Sequence, residues 1–246
     1  MSIDPGQVAL LAAIAFAGAL IFGITGFGSA LVTIPLATHF VSLQFALALF
    51  AICDLAAALR VGLENPKNAV RIEYYRLAPT IVVGTIIGVT ALVNLPRQAL
   101  MAALGAFILL FALYSLYPKK IQKEISNGWA WLAGFGGGVT STVFGAGGPP
   151  YVIYLSHRGL SKEQFRATLG LCTMTSISLR VIAFLITGLL LRWDVWLTAA
   201  FTVPAILLGI WVAQRIYLKI SREALMRAVA VMLLASGGSL LYRALG

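Results

Sequence analysis

The chain has 246 residues, 60% of them apolar and 11% charged, with a formal net charge of +10, whereas a soluble domain is roughly 45–50% apolar and about 25% charged. This composition excludes an ordinary soluble fold and places the chain in a bilayer. The basic excess lies between apolar segments and forms no stripe with interleaved aromatics, so it reads as a topology signal and not as a nucleic-acid surface.

The N-terminus, MSIDPGQVALLAAIAF, has no basic leader and no clear cleavage site, so it is expected to remain in the mature chain. Between Asp4 and Asp54 no Asp, Glu, Lys or Arg occurs, a run too long for one crossing of ~20 residues. The glycines of GITGFGSALVTIP (Gly23 to Pro35) interrupt it, which predicts a broken segment over 6–38. Three helices are expected next, near 40–63, 72–94 and 98–117. The second charge-free run, between Glu124 and Arg158, carries TSTVFGAGGPPYVIYLS (Thr140 to Ser156) and predicts a second broken segment over 128–157. Helices near 161–190, 194–216 and 222–243 complete the chain. Cys53 and Cys172 both sit in apolar segments and argue for neither a disulfide nor a metal site. Trp129, Trp131, Trp193 and Trp196 lie beside segment ends, as interface anchors do.

The two halves resemble each other. Shifted by 120 residues, Gln44-Phe45 falls on Gln164-Phe165 and Leu59-Arg60-Val61 on Leu179-Arg180-Val181; shifted by 119, ITGFGS (Ile24 to Ser29) falls on VFGAGG (Val143 to Gly148). Corresponding loops carry opposite charge bias: LATHFVSLQ has no Lys or Arg where LSHRGLSKEQFR has Arg158, Lys162 and Arg166. The next connection reverses the bias, with Lys67, Arg71 and Arg76 against Arg192 alone. Because Lys and Arg collect on the cytoplasmic side, the expected fold is an all-α polytopic membrane protein of two inverted repeats, residues 1–120 and 121–246. Each repeat is a broken-helix hairpin followed by three transmembrane helices, and the hairpin makes no net crossing.

Broken backbone at membrane depth survives only where protein, water or a ligand satisfies it. Pro149 and Pro150 suit the first turn of a new helix, and Gly145, Gly147 and Gly148 allow tight turns and close approach. The second legs are expected to begin near Pro149 and Ser29. Helix N-termini attract anions, so a small anion is expected between the two breaks. Its candidate site comprises Thr25, Gly26, Gly28 and Ser29 in the first half, Thr142, Gly145, Gly147, Gly148 and Pro149 in the second, and Arg180. The hydroxyls near the breaks, Thr33, Thr140 and Ser141 included, either donate to the anion or return hydrogen bonds to their own helices.

Ionisable residues inside apolar segments are functional candidates. Asp54 and Arg60 are candidates for coupling or for a structural ion pair, with snorkelling to the interface the alternative for Arg60. Arg180 has two candidate partners, a substrate anion and Asp54. His39 lies past the first hairpin and is by residue type a candidate to titrate near neutral pH, with a satisfied interfacial histidine the alternative.

At GITGFGSALVTIP and FGAGGPPYVIYL (Phe144 to Leu155) the chain resembles the TauE/SafE family of membrane transporters, and the likeness extends over the whole length through its repeat architecture. The resemblance implies movement of small sulfur-containing anions such as sulfite, sulfoacetate or related organosulfur carboxylates across the bacterial inner membrane. The expected mechanism is that of a secondary carrier with alternating access, with proton coupling through Asp54 a further expectation and an anion channel the alternative. Neither the histidine pattern nor a metal motif points to an enzyme, and no cofactor is expected. The expected partners are the anion and the bilayer, with the protein a monomer or homodimer.

Overall fold

In a bilayer a chain can satisfy its backbone only as helices or as a closed barrel, and the residues described by this computed structural model, 4–62, 66–116, 125–216, 234 and 238, hold helices and no strand. In order they are α1 (Pro5–Thr25), α2 (Ser29–Ala37), α3 (Leu43–Gly62), a 3-10 turn (Pro66–Asn68), α4 (Arg71–Asn94), α5 (Arg97–Leu116), α6 (Trp129–Phe144), α7 (Gly148–Ser156), α8 (Lys162–Ile186) and α9 (Trp193–Ile216). Six of them, α1, α3, α4, α5, α8 and α9, are long and apolar enough to cross a membrane. α2 and α7 have nine residues each, about 13 Å of helix at ~1.5 Å per residue, which is less than half of a ~30 Å hydrocarbon core. The helix expected at 222–243 lies outside the described residues except at 234 and 238, which are both helical.

Each break is a tight turn closed by left-handed glycine. α1 ends at Gly26 (φ 79°), followed by Gly28 (φ 89°) before α2, and α6 ends at Gly145 (φ 71°) before α7. A side chain in this region costs roughly 1–2 kcal/mol. Pro149 and Pro150 stand in the first turn of α7, where their missing N–H groups break no helical bond. The second legs fold back along the first: a Cβ on Gly18 would strike the Thr33 methyl, and one on Gly137 would strike the Tyr151 ring. Gly18 and Gly137 are related by the 119-residue shift that aligns the two glycine motifs.

Contacts along the helices fix their directions. On α1 and α9, Gly209 abuts Phe16 and Ala19, while Gly23 abuts Ile210 and Ala213. On α4 and α6, Gly134 meets Leu77 and Thr80, while Gly88 meets Val139 and Thr142. Both pairs therefore run parallel. So do α4 and α8, through Val70 N to Thr168 Oγ1 (2.9 Å) and Tyr74 Oη to Thr175 Oγ1 (3.0 Å). So do α3 and α9, since Arg192 lies 5.6 Å over the Phe45 ring and Cys53 Sγ lies 3.3 Å from Thr202 Oγ1. α3 packs against both α8 and α9, so the short link 187–192 must reverse the chain between them. Thus α1, α3 and α9 run one way and α4, α6 and α8 the other.

The packing pairs match in the same sense. α1 lies on α9 as α6 lies on α4, α3 on α9 as α8 on α4, and α2 on α3 as α7 on α8, with α3 and α8 against each other at the centre. α5 reaches both breaks through aromatic rings: Phe111 meets Phe27 edge-to-face at 6.2 Å, and Phe107 stacks on Phe144 at 5.5 Å. Leu11, Leu31, Leu47 and Phe50 form part of the main buried core, whereas Ile86, Leu110, Ile186 and Phe201 point outward, as lipid-facing residues should. Trp129, Trp131, Trp193 and Trp196 are exposed near helix starts.

Candidate substrate site at the hairpin tips

The two tips meet. A Cβ on Gly148 would abut Phe27 of the first turn, and one on Gly145 would lie 3.0 Å from Ala30 Cβ at the start of α2. Between them is a cavity of about 20 Å³ whose lining includes Phe27, Gly28, Ser29, Asp54, Ser141 and Gly147. That volume accepts about one water, so an organic anion requires the tips to part.

Beside the cavity lies a buried ion pair. α3 brings Asp54 and α8 brings Arg180, with Arg180 Nη2 donating to Asp54 Oδ2 at 2.8 Å. Arg180 is 0% exposed and Asp54 3%. Arg180 Nη1 donates to the Ser141 carbonyl at 3.0 Å, while Ser29 Oγ donates to Asp54 Oδ1 at 2.9 Å. Among the described residues Arg180 Nε has no hydrogen-bond partner. The guanidinium also presses on the second turn, where Nη1 lies 2.9 Å from the position of a Cβ on Gly145.

This geometry sorts the candidates named from sequence. Gly28, Ser29, Gly145, Gly147 and Gly148 line the cavity, and Gly26 and Pro149 complete the two turns that frame it. Thr142 returns its hydroxyl to the Gly138 carbonyl (2.9 Å) within its own helix. The side chain of Thr25 lies outside the described residues. Arg180 stands beside the cavity and not on its wall, because Asp54 and Ser141 hold its Nη atoms. Asp54 takes Arg180 as its ion-pair partner and not Arg60, which is exposed six residues further along α3. At the start of α2 the Ser29 hydroxyl is held by the chain's own Asp54 carboxylate.

Sequence reasoning missed the polar face of α8. Thr173 and Ser176 line the cavity, and Ser176 Oγ donates to Ser141 Oγ at 3.2 Å. Thr173, Ser176 and Arg180 recur at helical spacing on one face, a stripe of polar residues in an apolar helix that could have identified them. Also missed was a cluster at the base of the second hairpin, where Glu73, 4% exposed, accepts from Arg76 (2.7 Å), Arg158 (2.9 Å) and the Tyr154 hydroxyl (2.5 Å). Arg158 Nη1 also donates to the Ile125 carbonyl at 2.8 Å. The cluster ties the start of α4 to the end of α7 and to the chain just before α6.

Comparison with known proteins adds independent findings. The family model described as "Sulfite exporter TauE/SafE" matches residues 10–240. A curated relative, the "Probable inner membrane transporter protein TsaS" of Comamonas testosteroni, is 27% identical over 196 residues, covering 78% of this chain and 81% of the relative. No solved structure matches the chain at a significant level.

Proposed function

The chain belongs to the TauE/SafE family of membrane transporters, and we propose that it is a secondary carrier of small sulfur-containing anions, such as sulfite, sulfoacetate or related organosulfur carboxylates. Its place is the inner membrane, as a multi-pass protein. The observation that carries the reading is the meeting of two hairpins, α1–α2 and α6–α7, each with a short second leg, around a polar cavity flanked by Asp54 and Arg180. Breaks of this kind near the midplane, with helix N-termini turned to one point, are how many secondary transporters hold an anion. The substrate contacts assigned here are Gly26, Gly28 and Ser29 of the first tip, Gly145, Gly147, Gly148 and Pro149 of the second, and Arg180.

The two halves, α1–α5 and the chain from α6 onward, form an inverted repeat in this reading. Its support is the exchange of directions described above: α1, α3 and α4 correspond to α6, α8 and α9, and each member of a pair runs opposite to the other. Alternating access then follows from rocking one hairpin and its neighbours against the other, so that the tips open first to one side and then to the other. Asp54 is the group through which a proton can be coupled to this cycle.

The test is thermal stability of the purified protein against sulfite, sulfoacetate, mercaptoacetate, sulfate and acetate. A ligand that binds only the folded state raises its stability, by about 2.7 kcal/mol at a hundredfold excess over Kd. Stabilisation by sulfur anions and not by acetate is the expected result, and a flat panel would remove the anion reading.

A further inference from the structure

The buried pair imposes a rule on the anion site. Among the described residues Arg180 is the charged group facing Asp54: α1 and α2 carry no ionisable residue, Ser29 offers only a hydroxyl, and the acidic and basic residues of α9, Asp194 and Arg215, lie at its two ends. Cys53, next to Asp54 on α3, is engaged by Thr202, and Arg60 is exposed. The interior pair is therefore neutral as a unit. An anion that draws Arg180 to itself leaves the Asp54 carboxylate buried without its counter-charge, a strongly disfavoured state. An anion that enters beside the intact pair brings a net negative charge into the same desolvated space.

Building on the carrier reading, we infer that the anion binds together with one proton, by a hand-over of Arg180. The Nη2–Oδ2 hydrogen bond between Arg180 and Asp54 breaks, Oδ2 takes a proton from the aqueous side to which the tips are open, and an oxygen of the anion accepts from Nη2 and from Nε. Nε is the donor left without an acceptor in a side chain that is wholly buried. The guanidinium already abuts Gly145 of the second tip, so the anion needs only the space opened when the tips part. The proton lowers the charge brought into the interior by one unit: a neutral Arg–Asp pair becomes an Arg–anion pair, neutral for a monoanion and singly negative for a dianion such as sulfoacetate, beside a neutral carboxylic acid that still accepts the Ser29 hydroxyl. On release of the anion the proton leaves Asp54 and the pair re-forms.

The experiment is titration calorimetry of the full-length protein with sulfoacetate at about pH 7, in two buffers of different protonation enthalpy. Both acidic groups of sulfoacetate are ionised there, so any proton taken up comes to the protein. Uptake of roughly one proton per anion is expected for the unaltered chain. Asp54→Asn, which mimics the protonated acid, should bind with no proton uptake and with an affinity independent of pH, and Arg180→Gln should lose binding at least tenfold. If the Asp54→Asn chain does not fold, the proton count of the unaltered protein decides by itself. Binding without proton uptake overturns the hand-over and leaves the carrier reading standing, whereas no heat from any of the five anions named above overturns both.

Discussion

Gly136 and Gly138 lie two residues apart on α6 and face different surroundings. A Cβ on Gly138 would meet the Ile81 carbonyl and the Thr85 amide of α4, and one on Gly136 would find only Pro150 at 3.9 Å. Overpacking against backbone costs typically 1–3 kcal/mol, whereas replacing an unhindered helical glycine by alanine gains about 0.5–1 kcal/mol. Gly138→Ala is expected to lower the melting temperature and Gly136→Ala to hold or raise it, with both variants measured in the same detergent. Equal loss in both would show that α4 and α6 do not approach through that face. Part of the site was legible at this scale. Asp54 and Arg180 are conspicuous as charges in long apolar runs, and the turn glycines as breaks in them. Which partner Arg180 takes, and whether Thr142 faces the cavity or its own helix, depends on side-chain geometry that no spacing encodes.

The second hairpin is held at its base as well as at its tip. Glu73 receives Arg158, Arg76 and Tyr154 together, and hydrogen bonds to a charged group contribute about 1.5–3 kcal/mol. Glu73→Gln is expected to destabilise the protein by that order and to speed hydrogen exchange in α7 more than in α2. Tyr154→Phe, which removes one donor, should do less. Exchange that rises equally in both short helices would mean that the cluster does not clamp α7. The element bounds were largely readable: glycines end the first legs, and Pro149 and Pro150 stand at the start of α7. The clamp was not readable, because Glu73 and Arg158 lie 85 residues apart and each looks like ordinary loop-edge charge.

In the proposed topology the two hairpins enter the membrane from opposite sides. Cysteines introduced for Asn127 and Leu160, which flank α6–α7, are expected to react with an impermeant maleimide from the cytoplasmic side. Those introduced for Gln7, in the first turn of α1, and Phe40, just past α2, should react from the other side. The native Cys53 and Cys172 are buried and provide a quiet background. Labelling of positions 127 and 160 from opposite faces would mean that the second hairpin crosses the bilayer. The proposed duplication was visible in the sequence only as a few aligned residues and the opposed loop charges. The mutual wrapping of the halves, α1 on α9 and α6 on α4, was not, since it depends on small residues whose partners lie in the other half.

Carriage of small sulfur anions by alternating access is proposed for this chain. It is tested most directly by counterflow in proteoliposomes loaded with unlabelled sulfoacetate and given a trace of labelled sulfoacetate outside. A carrier accumulates the label transiently above its external concentration, with a rate that saturates, and Arg180→Gln abolishes the overshoot. Flux without overshoot that rises linearly with concentration, or no flux in vesicles shown to contain folded protein, would contradict the account.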